Sequence, residues 1–457
     1  MAVLAGAIVA TFAVTGVVDM SPSFIIIGIA LALFASGFLA MSRDIPNAAS
    51  FYAFLAQGLG ATTGLAGAAV SLLSYNVVQV SLYGLFGAVA SGIIGGPWWA
   101  WAFAAWLAIG LLGILHIGVN TRLLVVILVL ELAVIALLDF TGLLAPANGA
   151  LDSSPLLPGG LLTSGALGGV LAFSISSFIG FECVAVYREE AVSHRSVAVA
   201  CYATIGFLSI FYALSSWALA SAVGTDRIID TARDPAANLP FGVLGEHYGS
   251  FVQTVGQAML ITGLFAALLS FHNVVARYVY SLARESVLPT RLGTLSGAQG
   301  AVPIAGSLAQ TSVAALGIAL FAIAGLDPIA ALFTWLSELS ALGILALMIC
   351  TSIAVMRYYR THGRRLGFKL GLASVASAVA LFAVLVVNVA NMDSITNTES
   401  GTALRWILPG IVVATAAAGA YAARRIRVRA PAVYALIGRG EPKPLAVPER
   451  VLADLEM

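Results

Sequence analysis

Charge is what this sequence has least of. Asp, Glu, Lys and Arg make up 9% of 457 residues, against 60% apolar ones, so the chain cannot cover a soluble globule with polar surface. It reads as a polytopic membrane protein. With 22 basic and 21 acidic residues the net charge is +1, far from the concentrated Lys and Arg that a nucleic-acid partner requires. Cysteine is nearly absent too: Cys183, Cys201 and Cys350 fall inside apolar stretches, and an odd number so placed reads as small core residues, not a disulfide framework. No P-loop pattern, zinc spacing or Ser/His/Asp arrangement stands out. Neither an ATP-driven pump nor an enzyme is expected, and no metal or cofactor is implied. The opening "MAVLAGAIVATFAVTGVV" has no basic n-region, which argues against a standard secretory signal. Its 18 residues before Asp19 are barely enough to span a bilayer.

What is abundant is long apolar runs. Gly, Pro and charge divide them into about twelve candidate spans, at 2–18, 22–42, 62–94, 97–117, 122–144, 161–187, 197–224, 249–284, 302–325, 328–356, 368–391 and 403–423. The runs are continuous and lack the alternation of β-barrel strands, so the expected class is all-α. Basic residues test the topology, because Lys and Arg accumulate in cytoplasmic loops. Loops after even-numbered spans and the C-terminal tail hold 19 of the 22, leaving Arg227, Arg233 and Arg405 for the other side. Even-numbered spans are therefore expected to end in the cytoplasm, with residues 424–457 as a cytoplasmic tail.

Polar residues within the spans are few and hence informative. In "SYNVVQVSLYG" Tyr75, Asn76 and Gln79 share one helix face; helix-to-helix hydrogen bonding and a polar wall of a substrate cavity both fit. Glu131 in "VVILVLELAVIALL" has no neighbour in sequence to neutralise it. A proton carrier and a structural hydrogen bond are its two readings. "SISSFIG", residues 174–180, combines a β-branched residue, serines and a glycine that weaken a helix. Such a break at membrane depth is how many secondary transporters make a site, although serine and glycine also serve close packing. Glu182 follows it directly. His272, beside Asn273, and Glu338 in "FTWLSELSALG" are further polar residues at membrane depth, each with a structural and a functional reading.

"SFIGFE" with its "YREEAV" turn, "SFHNVVARYVYSLARESVLP" running into a glycine-rich loop and "VPIAGS", and "SRDIPNAASFYAFLAQGLG" together resemble segments of the amino acid, polyamine and organocation (APC) permease superfamily. The last segment looks like that family's cytoplasmic "P-x-x-G-x-x-Y" stretch, with Ala49 where glycine is usual. The resemblance covers nearly the whole chain. It implies a LeuT-like five-plus-five inverted repeat plus two helices: residues 1–144 as helices 1–5, 161–356 as helices 6–10, 368–423 as helices 11 and 12. Helices 1 and 6 would be broken around a central substrate site. Residue by residue, the helix 6 break falls at Ser176, Ser177, Phe178, Ile179 and Gly180, with Glu182 at the position associated with gating and pH response. Phe271 matches a substrate-facing aromatic of helix 8, and Gln79 a substrate-contacting position of helix 3. Glu131 falls where some proton-coupled relatives carry a lysine, which alters the charge logic of coupling. The helix 1 break would fall at Ala2, Val3 and Leu4, so helix 1 begins inside its own break. An upstream start is the expected explanation.

The resulting expectation is a multi-pass transporter of an amino acid or related amine in the cytoplasmic membrane, working by alternating access and coupled to protons. The substrate amino group would meet carbonyls of Ser176 to Ile179, its carboxylate the N–H groups near Ala2 to Leu4, and its side chain Asn76, Gln79 and Phe271. Glu131 and Glu182 would titrate. An amino acid/amine exchanger and a non-transporting membrane sensor are the rival expectations.

Overall fold

The computed structural model describes residues 1–115, 121–189, 193–234, 238–295, 303–363, 367–395 and 403–439. The end of the expected tail, 440–457, lies outside them, as does part of the turn after the sixth span. Among the described residues there is no strand. Twelve apolar helices follow the expected order: α1 (Val3–Thr15), α2 (Ser21–Asp44), α3 (Ala61–Ile94), α4 (Trp98–Leu115), α5 (Thr121–Leu144), α6 (Leu167–Ser176), α7 (His194–Val223), α8 (Ser250–Arg284), α9 (Ile304–Ile323), α10 (Pro328–Thr361), α11 (Phe368–Ala390) and α12 (Leu404–Arg429). The chain is an all-α polytopic membrane protein. Ten of these segments are long and apolar enough to cross a membrane. The ten include α6 together with its continuation to Val186, and the remaining two, α1 and α4, are shorter. At 1.5 Å per residue α1 reaches only about 20 Å, short of the roughly 30 Å hydrocarbon core.

Local chemistry sets the boundaries. Pro22 opens α2 in its first turn, and α2 stops before Ile45 and Pro46, because proline disfavours helical geometry in the residue before it. Gly60 and Gly95 bracket α3. Between α2 and α3 a ten-residue helix, Ser50–Leu59, is almost wholly buried. The helices sort into two shells. The most hydrophobic window of α6 is 78% buried, whereas those of α11 and α12 are 22% buried. The outer shell presents Ile210, Leu316 and Phe382 outward, as expected where lipid and not water is the solvent.

Hydrogen bonds pin the inner helices to one another. Ser23 of α2 and Ser174 of α6 share one at 2.6 Å, Ser21 and Ser216 another at 2.9 Å, and His272 Nε2 meets Ser307 Oγ at 2.7 Å. Loops assigned to one side by the basic-residue count do meet at one end of the bundle. There Asn47 donates to Glu285 at 2.9 Å and Tyr359 to Asp44 at 3.1 Å, joining the ends of α2, α8 and α10. The segment after α12 closes the same end. Gly438 N–H donates to Glu285 Oε2 (2.8 Å) and Tyr52 Oη (2.9 Å), Tyr52 donates to the same carboxyl oxygen (2.7 Å), and Gln57 donates to the Gly438 carbonyl (3.0 Å). At φ +72°, with a Cβ that would lie 2.4 Å from that of Ala56, position 438 requires glycine. At the opposite end the loops after α1, α5 and α7 bring together Asp19, Asp152 and Asp226.

Candidate functional site

Three helices lose regular winding beside one place: α10 is π-wound over Pro328–Phe333, and α1 and α6 depart more centrally. Val3–Ile8 of α1 is π-wound, a widened turn continuous with the rest of the helix, so Ala2 to Leu4 form no unwound strand. In α6 the α-winding ends at Ser176. Ser177 to Gly180 turn tightly, with Phe178 N–H donating to the Ile175 carbonyl (3.0 Å), Ile179 to Ser176 (3.3 Å) and Phe181 to Phe178 (3.2 Å). A 3₁₀ helix, Phe181–Glu189, continues the segment. Gly180 makes the change of winding possible at φ +111°, a conformation that L side chains rarely adopt. Two of the carbonyls expected to face substrate, those of Ser176 and Phe178, are thus engaged within the turn itself.

Between these segments lies a cavity of about 310 Å³, at the small end of the ~300–1,000 Å³ usual for small-molecule sites. Its walls are Ala2, Val3 and Ala7 of α1, Val78 and Leu82 of α3, Phe173 and Ser176 to Phe181 of α6, Thr204, Leu208 and Tyr212 of α7, Ala267 and Phe271 of α8, and Phe333 to Ser337 with Glu338 of α10, apart from intervening positions turned away. Ile395 completes the lining. The enclosure is mostly apolar and aromatic. Phe178 and Tyr212 meet edge to face at 5.9 Å.

The structure brings together Ala2, Val3, Ser176, Ser177, Phe178, Ile179, Gly180 and Phe271 on that wall. Leu4 is buried in the core instead. Asn76 donates to the Leu72 carbonyl of its own helix at 2.7 Å, and Gln79 donates to the Leu268 carbonyl at 3.1 Å while accepting from Gln310. Both therefore stand away from the cavity lining. Glu182 lies directly behind the α6 turn, with no exposure. Its Oε2 accepts from Gly180 N–H at 3.0 Å and its Oε1 from Tyr75 Oη at 3.2 Å, so it braces the altered winding against α3. Glu131 of α5 lies elsewhere, 3.7 Å from the Met1 nitrogen and against Gly263 of α8.

Two carboxylates were less legible. Glu338 is recognisable as an apolar-flanked carboxylate, but its place on the cavity wall depends on how α10 rotates against α3 and α6. Asp139 of α5, buried and accepting from Ser215 at 2.9 Å, carries the same sequence signal as Glu131, an acid in an apolar run. That signal could have found it. Among the described residues no group of His, Cys, Asp and Glu is arranged to hold a metal ion.

No functionally curated protein matches this chain significantly. A family model described as amino acid permease matches residues 1–414. With nearly the whole bundle inside that match, the chain belongs to the amino acid permease family.

Proposed function

We propose that this permease is a secondary transporter of an amino acid or related amine in the cytoplasmic membrane, working by alternating access with proton symport. One observation carries the reading: α1 and α6, packed against each other, both depart from regular winding where they line one cavity within the bundle. Departures from regular winding at membrane depth, beside a cavity, are where secondary transporters place their substrate. Glu182, one hydrogen bond behind the α6 turn, and Glu131 are the proton-carrying candidates. A change in the charge of Glu182 reaches the cavity wall through Gly180 N–H. The preponderance of Arg and Lys at one end supports placing that end, and the segment after α12, in the cytoplasm. Helices α1–α5 and α6–α10 then form the two inverted repeats.

The test is uptake by the purified protein in proteoliposomes, with radiolabelled amino acids and amines and an imposed pH gradient. Accumulation that follows the gradient is expected. Flux indifferent to the gradient removes proton symport, and flux that needs preloaded substrate identifies an exchanger.

A further inference from the structure

Glu338 is the one carboxylate among the cavity-lining residues, and neither the α6 turn nor the coupling scheme uses it. The residue is 3% exposed overall, yet it lines the cavity. Its Oε1 has no hydrogen-bond partner among the described residues. Behind it stands Asn388 of α11, fully buried, its side chain turned toward the Glu338 carboxyl and interacting with it, although at no standard hydrogen-bond geometry. The neighbouring hydroxyls do not satisfy it. Ser337 donates to Ser81 (3.0 Å) and Thr334 to the Ile329 carbonyl (2.8 Å). Across the cavity Ser176 and Ser177 donate to the Ala172 and Phe173 carbonyls (2.9 and 2.8 Å). Among the described lining residues there is no Lys, Arg or His.

Apart from the hydroxyls of Thr204 and Tyr212, the polar side chains of the lining have their donors engaged, and the cavity carries an acid without a base. A buried carboxylate is costly unless paired. A primary ammonium is the complementary group, with three donors, no acceptor and one positive charge. The aromatic walls, Phe178, Phe271, Phe333 and Tyr212, suit a compact apolar body and attract a cation over their faces.

We propose that Glu338 is the ammonium-binding residue of this cavity, and that it selects primary amines on compact apolar bodies, including the amino group of apolar amino acids, over acids that lack an amine. The assignment rests on the transport reading for its biological meaning, but its test is binding. Purified protein is titrated with leucine, with 3-methylbutylamine, which lacks the carboxylate, and with 4-methylpentanoate, which lacks the amine. The parent is expected to bind the first two and not the third. Glu338→Gln should weaken the amine by about 10- to 100-fold, the worth of one charge-assisted hydrogen bond, while its unliganded melting temperature is no lower than that of the parent. Glu338→Asp should fall between them.

Amine binding by Glu338→Gln at the parent's affinity overturns the assignment, as does a parent that binds 4-methylpentanoate as tightly as the amine or binds none of the three. Should Glu338→Gln fail to fold, 3-methylbutan-1-ol decides: equal affinity of the parent for alcohol and amine overturns the proposal, and preference for the amine supports it. Amine binding that depends on Glu338, in a protein that carries no flux, would refute the transport reading alone.

Discussion

Tyr75 and Gly180 show how little holds the most buried acid of the bundle. Each gives Glu182 one hydrogen bond, and a buried acceptor that loses a partner costs about 1–3 kcal/mol. Tyr75→Phe is therefore expected to lower the melting temperature and to loosen the α6 turn, read as faster amide exchange at Gly180. An unchanged exchange rate there would mean that Tyr75 does not brace the turn. Glu131 is tested differently. On the transport reading, Glu131→Gln should uncouple or abolish uptake, and normal gradient-driven uptake would assign the residue to structure. Legibility at this scale follows the range of each interaction. The break at "SISSFIG" is visible because helix propensity is local, and Glu182 because an acid in an apolar run is conspicuous. Gln79 was ambiguous in sequence because its partner Gln310 lies 231 positions away, and only packing decides whether an amide faces a cavity or a neighbouring helix.

Helices and loops carry their own consequences. Most of the twelve apolar runs became helices within a few residues of their sequence boundaries, since length and hydropathy are summed over many residues. The sixth changed its winding midway and the first began π-wound, outcomes that sums do not register. The loop joining α5 to α6 is organised by Asp152, which accepts from Ser154 N–H (2.8 Å), Ser154 Oγ (2.8 Å) and Thr225 Oγ1 (3.2 Å), while Trp217 Nε1 donates to its carbonyl (2.7 Å). The backbone and side-chain hydrogen bonds from Ser154 hold its carboxyl below the usual carboxylate range. A depressed folded-state value means stability that is present above the unfolded value, about 3.9, and lost as pH falls through the lower folded one. Amide protection at Ser154 should thus persist at pH 5 and be lost as pH falls through the lowered folded-state value of Asp152. Asp152→Ala should remove it above that value too, and protection that survives the substitution would assign the loop's order to other contacts. Nearby Asp19 moves the opposite way, raised by burial and by the charge of Asp152, so Asp152→Ala should also lower the Asp19 value, measurable by NMR titration.

At the scale of the molecule, the grouping of loops by their basic residues, a bias that adds over 22 of them, agrees with which loops meet at a common end. The cavity was not legible as a volume, since it needs six helices to close it. The hydrogen-bonded node at Tyr52, Glu285 and Gly438 was not legible either, and it has a temporal meaning. Burial and the adjacent Glu285 hold the Tyr52 hydroxyl far above its ordinary range, so it remains a donor. The last donor to Glu285 comes from a residue synthesised 153 positions later, and the contact with Tyr52 spans 386. Gly438→Ala, strained at a left-handed φ by about 1–2 kcal/mol and crowded against Ala56, should lower the melting temperature and increase protease cleavage between Ala430 and Arg439; an unaltered cleavage rate would show that the segment docks without this contact. During biogenesis α8 and the helix Ser50–Leu59 must wait, with one acceptor unanswered, until α12 has been made and placed. The node therefore acts as a clasp that fastens only on a bundle whose helices have all arrived.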